Sequence, residues 1–288
     1  MDFKSDAKID SGSVGGASGG GGRGGGIAVG GVGGLIIVVI ALLLGIDPSA
    51  ILGGGTGQTQ PQSSSTSQCS TGADVERDAD CRWPAYMTSL NQYWTQAAGS
   101  GFQKTTMTQF SGSVNTACGQ ASSQVGPFYC PGDQKIYIDT SFVQTLLDQL
   151  GAKGGPAAEA YIVAHEYGHH IENVTGVLEK AQQDRSTGPK SSGVRVELMA
   201  DCYAGVWFNF ANSDQTDIIE NITADDLNRI VDAARAVGDD HIQSQQGGVN
   251  PDAWTHGSSK MRQYWVQKGF QTGDPNQCDT FATDNLGE

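Results

Sequence analysis

Residues 157–174 read AAEAYIVAHEYGHHIENV, and inside them His165-Glu166-Tyr167-Gly168-His169 sets two histidines four residues apart. On an α-helix that spacing puts both imidazoles on one face, where they can converge on a single ion. Zn2+ accepts neutral imidazole nitrogen, and a catalytic zinc site takes three protein ligands and keeps one position open. Glu166, one residue past His165, is turned about 100° from it around the helix axis. That places it beside the open position, where a carboxylate can take a proton from an attacking water and deliver it to a leaving amine. The pattern arises by accident in about one random chain of this length in a hundred. Ile162, Val163, Ala164 and Ile171 give the helix apolar neighbours that can seat it in a core. Gly168 costs about 1 kcal/mol inside a helix relative to alanine, which signals a backbone or a substrate passing close by. His170 points away from His169 and reads as a side chain that either supports a ligand from behind or is structural.

The third ligand has to come from elsewhere. A metzincin would carry glycine and histidine where this chain has Glu172 and Thr175, so that class is excluded. Downstream, Glu197-Leu198-Met199-Ala200-Asp201 sets two acids on one helix face. Glu197 can complete the metal shell, and Asp201 can hold the far nitrogen of a ligand histidine and fix its tautomer. Glu172, Glu179 and Asp201 itself stay open as alternative ligands.

Outward from the motif, Gly154-Gly155-Pro156 breaks the chain and starts the helix. Before it, Trp83–Ala98 and Ser141–Leu150 read as helices. Gly126–Asp139 (GPFYCPGDQKIYID) reads as a hairpin, two β-prone runs around a Pro-Gly-Asp turn. After it, Arg195–Asn212, Leu227–Val237 (opened by the capping sequence Thr223-Ala224-Asp225-Asp226) and Ser258–Lys268, stopped by Gly269, read as helices.

The N-terminal quarter has another character. Residues 1–26 are rich in glycine and are expected to be a disordered tail, since they offer little to bury. Ile27–Ile46 (IAVGGVGGLIIVVIALLLGI) carries no charge, and as a helix covers about 30 Å, one hydrocarbon thickness. A cleaved signal peptide is the competing reading; the long polar region before the run and the lack of a clear A-x-A site favour an uncleaved, single-pass anchor. Arg23 and Asp47 on its flanks favour a cytoplasmic N-terminus and an extracytoplasmic domain. Residues 47–68 are expected to be a flexible linker, and the folded domain to span 69–288.

All six cysteines follow the apolar run. That reads as disulfides in an oxidising compartment, the short separations favouring Cys69–Cys81 and Cys118–Cys130 and leaving Cys202–Cys278. Six reduced, buried thiols are the alternative. With 31 Asp+Glu against 17 Lys+Arg and no basic cluster, the chain has no electrostatic footprint for nucleic acid.

The sequence resembles the bacterial, membrane-anchored neutral zinc metallopeptidase family, whose site is gluzincin-like. The likeness is carried by VAHEYGHHIENVTG (Val163–Gly176) and RVELMADCYAGVW (Arg195–Trp207). It extends to ACGQASSQVGPFYCPGDQKIYID (Ala117–Asp139), to THGSSKMRQYWVQKGFQTGDPNQCDTF (Thr255–Phe281) and to LLLGIDPS (Leu42–Ser49). The resemblance implies a zincin-like α+β fold, mostly helical, with a small antiparallel sheet packed on the motif helix. It implies one Zn2+ on His165, His169 and Glu197, Glu166 as general base, and a peptide or protein as substrate. By analogy with zinc peptidases, an extended substrate is expected to pair with an edge strand near Tyr129–Asp139. His256 is the first candidate to steady the oxyanion, with Tyr203 and Tyr264 behind it and His241 less favoured. A zinc-stabilised binding module without catalysis, and a zinc amidase or deacylase, remain the competing functions.

Overall fold

A computed structural model describes residues 1–17, 68–214 and 217–288. In chain order the elements are β1 (Asp2–Phe3), β2 (Val14–Gly16), α1 (Ala73–Arg77), α2 (Arg82–Ala98), β3 (Thr106–Gln109), β4 (Ser113–Thr116), β5 (Gly119–Ser122), β6 (Phe128–Cys130) and β7 (Lys135–Ile138). There follow α3 (Thr140–Gln149), the motif helix α4 (Pro156–Val174), α5 (Val177–Ala181), α6 (Ser192–Ser213), β8 (Ile219–Glu220), α7 (Ala224–Ala236), α8 (Asp239–Gln245) and α9 (Ser259–Thr272).

The fold is α+β and mostly helical, as expected. α4 starts with Pro156 at its first turn and is buried on almost every side, which suits a helix wedged between a sheet and other helices. Its partner α6 is capped by the Ser191 hydroxyl, which accepts from Val194 N. The two helices meet at Gly168, where an added Cβ would lie 2.8 Å from Ala200 Cα. The passing backbone that Gly168 signalled is therefore α6. α7 carries the full capping box between Thr223 and Asp226.

The expected stop of the last helix at Gly269 is corrected. α9 runs through Gly269, whose missing Cβ lets the Cys202 carbonyl of α6 approach, and ends at Gly273 with φ +61°. The glycine marks a helix crossing, not a cap.

The small antiparallel sheet is also corrected. The main sheet has four strands in the order β2-β3-β7-β6, with β2–β3 and β3–β7 parallel and only the β6–β7 hairpin antiparallel. The parallel strands come from distant parts of the chain, so no local turn announces them. Two two-stranded pairs, β1–β8 and β4–β5, lie outside it.

The largest correction concerns the tail. Residues 1–17 are packed rather than disordered: Ile9 and Val14 are 8% and 4% exposed, and β2 supplies an outer strand of the main sheet. Averaging composition over 26 residues hid Phe3, Ile9 and Val14 behind the glycines that follow them. The remainder of the expected tail, the apolar run Ile27–Ile46 and residues 47–67 lie outside the described residues. Among the described residues no helix is long and apolar enough to cross a membrane.

All three disulfides form as the spacing suggested, Cys69–Cys81, Cys118–Cys130 and Cys202–Cys278. The second ties the β4–β5 turn to β6, and the third ties α6 to the C-terminal tail.

Candidate metal centre

α4 presents His165 and His169 one turn apart, and α6 brings Glu197 against them. His165 Nε2 lies 3.1 Å from Glu197 Oε2, and His169 Nε2 lies 3.5 Å from Glu197 Oε1. One ligand atom from each of the three residues fits within 4.8 Å of the others, and all three residues are buried. Tetrahedral zinc with bonds of 2.0–2.1 Å spaces its ligands about 3.3 Å apart. The donor set and its spacing therefore fit zinc.

The outer nitrogen of each imidazole is held by a carboxylate. His165 Nδ1–H donates to Asp201 Oδ1 at 2.9 Å, as the E-x-x-x-D spacing suggested. His169 Nδ1–H donates to Glu172 Oε2 at 2.8 Å. Both bonds fix the tautomer that leaves Nε2 free to accept a metal. Glu172 is thus placed behind His169 rather than on the metal side, and its carboxyl is pushed well above the usual range by burial and by the negative charge of Glu197.

Asp201 is itself pinned. Tyr161 donates to Oδ1 at 2.5 Å, and Arg262 donates from Nε to Oδ2 at 2.8 Å and from Nη2 to Oδ1 at 3.0 Å. Burial opposes the charge on Asp201, and the Arg262 guanidinium and His165 together more than offset it, holding the carboxyl below its ordinary value. Arg262 escaped the sequence reading. A single arginine among polar neighbours on a terminal helix looks solvated, yet it is 3% exposed. The only signal was its apolar flank, Met261 and Trp265.

Glu166 lines the same cavity as the three candidate ligands. Burial raises its carboxyl above the ordinary value, and the two histidines pull the other way. For Glu197 burial also opposes ionisation, but His256 and the two motif histidines hold the carboxyl well below its usual range.

His256 lines that cavity too. Asp239 orders its loop by accepting from the backbone N–H groups of Thr255, His256 and Gly257, and lies 3.3 Å from His256 Nδ1 through Oδ1. Burial would lower the imidazole pKa, but Glu197 and Asp239 outweigh it and raise it. Tyr203 and Tyr264 do not share this cavity. Tyr203 packs on Trp94, and Tyr264 is 38% exposed against Trp265. His241 is turned to the Leu150 carbonyl.

His170 bolts the motif helix to the sheet. Tyr129 OH, on β6, donates to His170 Nδ1 at 3.0 Å, and His170 Nε2–H donates to the Gln103 carbonyl at 2.6 Å.

Comparison with known proteins identifies the family. The family described as "Putative neutral zinc metallopeptidase" matches residues 3–281. The chain is 48% identical over 256 residues to the uncharacterized protein Rv2575 of Mycobacterium tuberculosis, covering 86% of this chain and 87% of that one. It is 37% identical over 258 residues to the uncharacterized protein YpfJ of Escherichia coli K12, covering 87% of each. No solved structure matches. With a match over nearly its whole length and these relatives, the chain belongs to the neutral zinc metallopeptidase family.

Proposed function

We propose that the protein hydrolyses peptide bonds with one zinc held by His165, His169 and Glu197. The observation that carries the reading is the spacing of those three donors, with the Glu166 carboxyl in the same cavity. Bound there, zinc supplies Lewis acidity toward the carbonyl oxygen and lowers the pKa of a water. Glu166 takes the proton of that water as it attacks the carbonyl carbon, and passes the proton to the departing amine. The raised carboxyl of Glu166 suits both halves of this transfer. His256, oriented through Nδ1 by Asp239, offers Nε2–H to the oxygen that becomes negative. Asp201, Glu172 and Arg262 hold the two imidazoles still.

β6 is an outer strand of the main sheet, and its Phe128 lines the cavity. Among the described residues β6 ends the strand order, and an extended peptide paired along it would lay a carbonyl over the donors. All six cysteines are in disulfides, so none is a thiolate ligand of the kind a deformylase-type site needs. The three bridges support an oxidising, extracytoplasmic setting. Ile27–Ile46 would attach the protein to a membrane.

The test is to purify the protein, measure bound metal, and digest a mixed peptide library. Wild type should carry one zinc and cleave, while Glu166→Ala should keep the zinc and lose cleavage. Equal activity of the two would end the proposal.

A further inference from the structure

The cavity over the three donors is lined by two unlike groups of side chains. One carries the candidate ligands, Glu166, His256 and Arg262. The other comprises Leu146 of α3, Leu150 just past its end, Ile162 of α4, Val237, Ile242 of α8 and Phe128 of β6. Leu146, Leu150 and Ile242 form, with Ala236, a small apolar cluster separate from the main core. They therefore line the cavity from a buried cluster of their own. None of these six side chains is polar, so a lysine or arginine side chain packed on them would lose water and gain no partner from them. Arg262 offers no counter-charge to an acidic side chain, since Asp201 already engages it.

Resting on the peptidase reading, we propose that the site selects peptides carrying a bulky apolar side chain (Leu, Ile, Met or Phe) next to the scissile bond, and that Leu150 and Ile242 set this choice. Discrimination in an apolar pocket reaches about 10- to 200-fold per methylene, so Leu or Phe should exceed Ala there by about 100-fold or more in kcat/KM. Two measurements test it. Zinc-loaded protein is titrated calorimetrically with leucine hydroxamate and glycine hydroxamate, and cut sites in a peptide library are mapped for wild type, Ile242→Asp and Leu150→Ala. The leucine compound should bind at least tenfold tighter. Apolar residues should flank the cut sites of wild type, Ile242→Asp should lose that bias, and Leu150→Ala should shift it toward larger side chains. Equal hydroxamate affinity together with unbiased cut sites overturns the pocket. Tight leucine hydroxamate binding with no library peptide cut would sustain the pocket and sink the peptidase reading instead.

Residues 1–17 are stitched to the main body at several points. Lys4 N donates to Ile218 O at 2.8 Å, Ile9 N to Ser70 O at 2.9 Å, Gly72 N to Ala7 O at 2.9 Å and Ala17 N to Gln109 O at 2.9 Å. Gly72 packs so closely that a Cβ would lie 2.1 Å from Lys4 O. The family match itself begins at residue 3. A bilayer interposes about 30 Å of hydrocarbon, so these bonds require residues 1–17 and 68–288 in one compartment. A single crossing by Ile27–Ile46 would separate them. We infer that the N-terminal strap lies on the same side of any membrane as the candidate metal centre.

Lys8 and Thr71 face each other across an antiparallel bridge, so Lys8→Cys with Thr71→Cys in the full chain should form a fourth disulfide in cells, read by non-reducing peptide mapping. Lys8→Cys alone should react with an impermeant maleimide in intact cells whenever an epitope tag at the C-terminus is also accessible. Labelling only after permeabilisation, with the C-terminal tag accessible beforehand and no new disulfide, overturns the inference.

Discussion

The metal centre and the N-terminal strap are both buried and hydrogen-bonded, yet one could be read along the chain and the other could not. At the centre, chemistry and local geometry coincide. Two ligands sit on one helix at a spacing only a helix makes useful, and Glu197 and Asp201 repeat the device on the next long helix. The strap carries no such code. Its β2 is three residues long, two of them glycine, and its partner β3 lies some ninety positions away. Function written into one helix survives being read locally, whereas a strand fixed by distant partners does not.

That contrast can be broken most forcefully at Glu166. Glu166→Gln should lower kcat by about 10³- to 10⁴-fold with zinc content unchanged, measured by metal analysis and peptide turnover on one preparation. His256→Ala comes next, at about 10²- to 10³-fold in kcat. His256 also gives a pH signature. Its folded pKa is raised above the ordinary imidazole value by Glu197 and Asp239, so the donor proton is held to higher pH than on a free imidazole and leaves as pH climbs through that raised value. Activity should fall on this alkaline side, and His256→Ala should erase the limb. The same shift stabilises the fold fully below pH 6.5, and this contribution fades as pH rises through the folded pKa.

Removing a supporting carboxylate should be milder. Asp201→Asn or Glu172→Gln should each weaken zinc about 10- to 100-fold, read by competition with a chelator; an unchanged affinity for Glu172→Gln would mean that His169 needs no orienting acid. The smallest effect belongs to the strap. Ile9→Val should cost about 1 kcal/mol of stability in denaturant unfolding while zinc affinity stays put. No change at all would return residues 1–17 to the status of a tail.

Within the centre, legibility followed the same rule. His165, His169, Glu197 and Asp201 meet as their spacing implied, and of the two readings of His170 the structural one holds. Glu172 was visible as an acid on the histidine face, but its choice of His169 Nδ1 over the metal side depends on side-chain direction, which spacing leaves open. Arg262 was invisible because burial of a cation is decided by its partner Asp201, sixty-one positions earlier. Gly269 was misread because a glycine that ends a helix and one that admits a neighbouring backbone are identical letters; only the Cys202 carbonyl tells them apart.

The Cys202–Cys278 bridge joins the residue beside Asp201 to the far end of the chain, a separation of 76 residues. Both Arg262 and His256 lie inside the ring it closes. Closing so long a loop lowers the entropy of the unfolded chain by an amount worth about 4–5 kcal/mol. A newly synthesised copy in a thiol-reducing cytosol lacks that contribution, and with it the restraint that keeps α9 pressed on the ligand helices. Assembly of the candidate metal centre is thereby tied to the redox potential of its surroundings, and it stays least complete wherever thiols are kept reduced.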